Sequence, residues 1–149
     1  MSLKATIDQD LKVALRTGDQ ATRDALRLLK SEVLNQEISL GLRGVGLEDS
    51  QVEQLIIKEA KKRREAVELY ESAGRGELAQ NELAELAILE KYLPKQLSDD
   101  EIIREIEVAL ADTEPVMANM GKVIGGVKSK LGSAADGATI ARLVKERLS

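Results

Sequence analysis

The chain has 149 residues and a formal net charge of −4; with 43% hydrophobic and 32% charged residues, it can bury an aliphatic core beneath a charged surface. It contains neither cysteine nor histidine, which removes disulfides, thiolate chemistry, the commonest metal ligand and the commonest general base. Two tyrosines are its only aromatic residues, so base stacking, the usual grip on single-stranded nucleic acid, is largely missing.

Leu, Ala, Glu, Lys and Arg are good helix formers, and only two prolines interrupt them, so an all-α fold is expected. A first helix is predicted over Leu3–Arg16, capped by Ser2 and stopped by Gly18, with Leu3, Ile7, Leu11 and Leu15 recurring every four residues. A second helix runs from Asp19 to about Gly41 on Leu26, Leu29, Val33 and Ile38. The glycines of Gly41-Leu42-Arg43-Gly44-Val45-Gly46 have the wrong spacing for a dinucleotide loop, and no strand precedes them.

The third helix is long, from about Asp49 to Ala73, and carries the basic run Lys58, Lys61, Lys62, Arg63 and Arg64. These five residues do not share one face. Arg63 falls on the apolar stripe between Ala60 and Val67, so it needs acidic partners. Glu82, Glu85 and Glu90 of the fourth helix can supply them, and an intramolecular network is preferred to a ligand site. That fourth helix follows Gly74-Arg75-Gly76 to about Tyr92, with its stripe on Leu78, Leu83, Leu86, Ile88 and Leu89.

Leu93-Pro94-Lys95-Gln96-Leu97-Ser98 is the expected boundary between an N-terminal helical domain, residues 1–93, and a C-terminal three-helix domain, residues 98–149. Ser98 and Glu101 suit a capping box at the head of a fifth helix, Asp99–Ala111. A sixth helix is expected over Asn119–Leu131 and a seventh from the Asp136 cap to Leu148. The fold class is thus all-α, a bundle of about four helices followed by a small bundle of three. No apolar run approaches the roughly 20 residues of a membrane span. The N-terminus lacks a signal-peptide core, so a cytoplasmic location is expected.

Charge divides sharply within the second domain. Residues 98–114 hold seven acids and one base, whereas residues 115–149 hold six bases and two acids. The informative stretch is Asn119-Met120-Gly121-Lys122-Val123-Ile124-Gly125-Gly126-Val127-Lys128-Ser129-Lys130. On a helical wheel Val123, Ile124, Val127 and Leu131 form the core stripe. Gly121, Gly125, Gly126 and Ser129 gather around Lys122 on the opposite side. Each internal glycine costs a helix about 0.5–1 kcal/mol relative to alanine, and three of them suggest close approach of something to the backbone. Contact with a sugar-phosphate backbone, packing against another helix and a partly looped segment all remain open. Arg142 and Lys145 of the seventh helix point away from its core stripe of Ile140, Leu143, Val144 and Leu148.

Several of these segments resemble the YqeY family. They are Tyr70-Glu71-Ser72-Ala73-Gly74-Arg75; Glu82 and Glu85; Ile88-Leu89-Glu90-Lys91-Tyr92-Leu93-Pro94-Lys95-Gln96-Leu97-Ser98; Met120-Gly121-Lys122-Val123-Ile124-Gly125; and Ala135-Asp136-Gly137. Glu48 departs from the family's usual Ser or Thr cap before the third helix. The resemblance implies a larger helical part followed by a three-helix part, an architecture shared with the tail of the GatB subunit of Asp/Glu-tRNA amidotransferase. That tail faces tRNA, while amide transfer occurs in other domains. The family is therefore associated with carbon–nitrogen ligase activity using glutamine as amide donor.

The expected function is a non-catalytic module contacting tRNA or associating with tRNA-amidotransferase or synthetase subunits. Its RNA-binding candidates are Gly121, Lys122, Gly125, Lys128, Lys130, Arg142 and Lys145. The alternative is a protein–protein adaptor whose glycine face receives a partner helix. An amide-transferring enzyme would need a nucleophile or nucleotide site that the sequence does not display. No catalytic residue, cofactor or metal is expected.

Overall fold

Local capping chemistry sets where the helices begin. The computed structural model describes residues 1–149 and contains helices α1 (Leu3–Thr17), α2 (Gln20–Ser39), α3 (Asp49–Ser72), α4 (Gly76–Glu90), α5 (Asp99–Leu110), α6 (Met120–Leu131) and α7 (Gly137–Leu148), with no strand. Ser2 Oγ accepts from the Ala5 N–H at 3.1 Å, Asp19 Oδ1 from the Thr22 N–H at 3.1 Å, and Ser98 Oγ from the Glu101 N–H at 3.2 Å. Asp136 Oδ2 accepts from the Thr139 N–H at 3.2 Å. At α3 the Glu48 N–H donates to Gln51 Oε1 at 2.9 Å, so the start of this helix is held without a Ser or Thr cap. Gly18 and Gly74 take φ of 73° and 72°, the left-handed stop that side chains resist.

The chain forms two compact units, Met1–Leu93 and Pro94–Ser149. In the first, α1 to α4 close over Ile7, Leu11, Leu26, Leu29, Val52, Ile56 and Leu89. Two expected core positions of α1 and α2 lie at the surface instead: Leu15 is 47% and Ile38 55% exposed. In α1 the cause is helical drift: a four-residue repeat turns about 40° away from its face at each step, so Ala14 replaces Leu15 on the inner face. In α2 Ile38 stands five residues after Val33, about 140° round the helix, and Glu37, four residues on, takes the inner face. Leu78 and Leu83 of α4 are likewise exposed, while Ala79, Leu86, Ile88 and Leu89 lie inside.

Glu37 is only 3% exposed and is matched on two sides. Its Oε2 accepts from Lys4 Nζ at 2.7 Å and from the Leu47 N–H at 2.9 Å. The Lys4 hydrogen bond, followed by that of Leu47, holds its carboxyl below the ordinary glutamate range. One carboxylate thereby ties α1 and the α2–α3 loop to α2. The Tyr92 hydroxyl, just beyond α4, donates to Asp10 Oδ2 of α1. Burial first, and then this hydrogen bond, push the phenol's pKa upward.

Arg63 has the acidic surroundings its position requires. It meets Glu82 at 3.2 Å, Glu85 at 3.2 Å and Glu59 at 3.8 Å. Glu90, also expected here, pairs with Arg64 instead at 3.2 Å, because it lies two turns further along α4. Burial raises the Glu85 carboxyl, an effect that Arg63 opposes and Glu82 and Asp24 reinforce.

The second unit packs α5, α6 and α7 around Ile102, Ile106, Val123, Val127, Ile140 and Val144. The expected connection at residues 94–97 belongs to this unit. The Leu97 N–H donates to the Ala134 carbonyl and Gln96 Nε2 to the Ser133 carbonyl, both at 2.8 Å.

Candidate functional site

The site is built on α6, whose two faces differ completely. Val123 and Val127 are buried, with Met120, Ile124 and Leu131 packed beside them. Gly121, Lys122, Gly125, Gly126 and Ser129 all face outward and are exposed. A Cβ placed on Gly121, Gly125 or Gly126 would meet nothing within 4 Å. This rules out both a partly looped α6 and packing of these glycines against the other helices of this unit. All three carry ordinary helical backbone angles, so no turn requires glycine here. Gly121, Gly125 and Ser129 form a row at four-residue spacing, with Lys122 and Gly126 alongside it.

The entry to α6 adds a positive end. A single 3₁₀ turn, Met117–Asn119, leads into the helix, and no side chain caps it. The Asn119 amide instead donates to the Glu114 carbonyl at 2.9 Å. The Met120 N–H donates to the Met117 carbonyl of the 3₁₀ turn, and no side-chain acceptor offsets the N–H groups that follow it beside Lys122.

The seven candidates fall into four sets. Gly121, Lys122 and Gly125 share the bare face, and Lys122 makes no ion pair. Lys128 lies across the start of α7, where a Cβ on Gly137 would stand 3.0 Å from its Cε and 3.3 Å from its Nζ. Lys145 is exposed on α7 without an ion pair. Lys130 and Arg142 are engaged: Lys130 meets Glu105 at 2.6 Å, and Arg142 meets Asp99 at 3.1 Å and Glu146 at 3.2 Å. Sequence reading missed these α5 partners. The signal was present, however, in the acidic stretch preceding a basic one within a single small bundle.

Elsewhere, a cleft of about 320 Å³ opens between α1 and α2 over Ile7, Val33 and Leu34. It is bordered by the Lys4–Glu37 pair and by Lys30–Asp8 at 2.8 Å. The rest of its polar lining is the hydroxyl of Ser31. No group of three or more acidic side chains is placed to hold a metal ion, and no helix is long and apolar enough to cross a membrane.

The chain is similar to altered inheritance of mitochondria protein 41, mitochondrial, from Pyrenophora tritici-repentis (strain Pt-1C-BFP). The two are 27% identical over 143 residues, spanning 94% of this chain and 77% of the fungal protein. The family described as Yqey-like protein matches residues 4–148, which is nearly the whole length, and the chain belongs to the YqeY family.

Proposed function

We propose that the second unit is a non-catalytic module that docks on the sugar-phosphate backbone of tRNA or tRNA-related RNA, in association with the machinery of tRNA amidation or aminoacylation. The observation that carries this reading is the unobstructed glycine face of α6 with Lys122 set in it. A helix without side chains on one face lets a phosphate backbone approach its main chain, and the uncapped N-terminus and Lys122 favour the negative charge. Structured RNA is read largely through backbone and shape, which suits a chain lacking Phe and Trp. A cytoplasmic location is part of the same proposal. The fungal relative carries a mitochondrial name, and tRNA is present in both compartments.

Three cations, Lys122, Lys128 and Lys145, make no ion pair and would carry the phosphate contacts. Titration of a labelled tRNA at increasing salt should then give a slope of log K against log salt of about −2 to −3. A slope near zero would remove the RNA reading.

The second reading is a protein adaptor, favoured by the Gly121–Gly125–Ser129 row, since small residues at this spacing let two helices cross closely. Lys122→Ala separates the two: it should weaken RNA binding but leave a helix-on-helix contact nearly intact.

A further inference from the structure

We infer that α5 is a built-in electrostatic filter: its carboxylates occupy the outer cations of the second unit, so that flexible polyanions are disfavoured relative to a surface presenting several phosphates at once. This inference rests on the RNA reading of α6. Three of the six bases in residues 115–149 are held by α5, each by a different carboxylate. Glu105 holds Lys130 at 2.6 Å, Asp99 holds Arg142 at 3.1 Å, and Glu107 holds Arg147 through its Nε. The arrangement follows from the helical wheel. Ile102 and Ile106 form the buried ridge of α5. Glu105 lies on one flank of that ridge, and Asp99 and Glu107 lie on the other. One acidic helix thus reaches α6 on one side and α7 on the other.

Not every acid in the segment does this. Asp100, Asp112 and Glu114 are exposed and make no ion pair, so pairing depends on position rather than on acid content. Exposed pairs of this kind are individually weak and screened by salt. A rigid RNA surface that already holds Lys122 can displace them together, whereas a disordered strand must displace them singly while also losing its own conformational freedom. α5 therefore acts as a specificity-determining element for the face on α6.

The test compares two triple variants of the full chain with equal change in net charge. One removes the paired acids, Asp99→Asn/Glu105→Gln/Glu107→Gln; the other removes unpaired acids, Asp100→Asn/Asp112→Asn/Glu114→Gln. Each is titrated with a polyuridylate oligomer and with folded tRNA. The paired-acid variant should bind polyuridylate roughly tenfold more tightly at low salt, with a salt slope steeper by about 2. Its preference for tRNA should fall accordingly, and the unpaired-acid variant should change by less than about twofold.

Equal gains in the two variants, or no gain in the paired-acid variant while wild-type protein binds tRNA, would overturn the filter and leave the RNA reading standing. Absence of binding to either RNA by any of the proteins would overturn the RNA reading and the filter together. Circular dichroism checks that α5 persists. Should the triple variant lose helicity, Glu105→Gln alone leaves the first turn of α5 intact and should give about a two- to threefold gain for polyuridylate; no gain would count against the filter.

Discussion

Helices α3 and α6 both carry lysines or arginines where a binding site could be imagined, and Arg63 in the first and Lys122 in the second are resolved in opposite ways. In α3, Arg63 is drawn into a ring of Glu59, Glu82 and Glu85, Arg64 is matched by Glu90, and Lys62 meets Glu59 at 3.2 Å. In α6, Lys122 faces outward without a carboxylate, beside glycines whose missing side chains leave open space. The denser basic run is the structural one. The sparser one, in a helix weakened by glycine, is the candidate interface. Charge density along a sequence is therefore a poor guide to a site, and what decides is whether the fold supplies counter-charges.

The largest effect that would sharpen this contrast is in α3. Arg63→Ala leaves three carboxylates crowded together, and Glu59, Glu82 and Glu85 are respectively 8%, 18% and 27% exposed as side chains. At neutral pH the first unit should lose about 2–3 kcal/mol in chemical denaturation, less than for a fully buried pair because the ring is partly wetted. RNA affinity should not change. The loss should shrink in acid. Glu85 already has a raised pKa in the fold, so its cost is present above that pKa and relieved as the pH falls and the carboxyl takes a proton. Glu37 has the opposite sign. Its lowered pKa means that its contribution is present at neutral pH and lost as the pH falls below the ordinary glutamate value towards the depressed one. An acid titration of stability in Glu37→Gln should accordingly be flatter than in wild type.

In α6 the expected effects reverse. Lys122→Ala should leave the melting temperature unchanged and weaken tRNA binding about three- to tenfold at low salt. Arg64→Ala, which removes an exposed and paired cation, should do neither to a measurable degree. Gly126→Ala is expected to raise the stability of the second unit by about 0.5–1 kcal/mol, because the new methyl meets nothing and a glycine leaves the helix. A destabilising Gly126→Ala in thermal melts would mean that the glycine serves the fold, and the contrast with α3 would lose its basis.

What could be read from the sequence was local. Helix starts at Ser2, Asp19, Ser98 and Asp136 depend on a hydrogen bond spanning three residues, and the stops at Gly18 and Gly74 depend on one left-handed residue each. The Arg63 network was legible because an arginine on an apolar stripe demands acids, and the next helix carries them. The two faces of α6 were legible because glycine is costly in a helix. An extrapolated local rule fails at Leu15, where four-residue spacing drifts off the 3.6-residue turn, and apolar character alone misleads at Ile38, which stands five residues after Val33 while Glu37, at four, faces inward. Contacts fixed only by tertiary packing were invisible. Glu37 meets a lysine 33 residues away, and Lys130 and Arg142 meet carboxylates on α5 whose reach depends on how three helices pack.

On this reading α6 is kept bare for a partner at the expense of its own helical stability. The most direct test is to fill that face with Gly125→Leu and measure thermal stability and tRNA affinity on the same protein. Open space at this position and leucine's better helix propensity predict equal or higher stability, together with a loss of tRNA affinity of about tenfold or more. Equal or higher stability with wild-type tRNA affinity would contradict the claim.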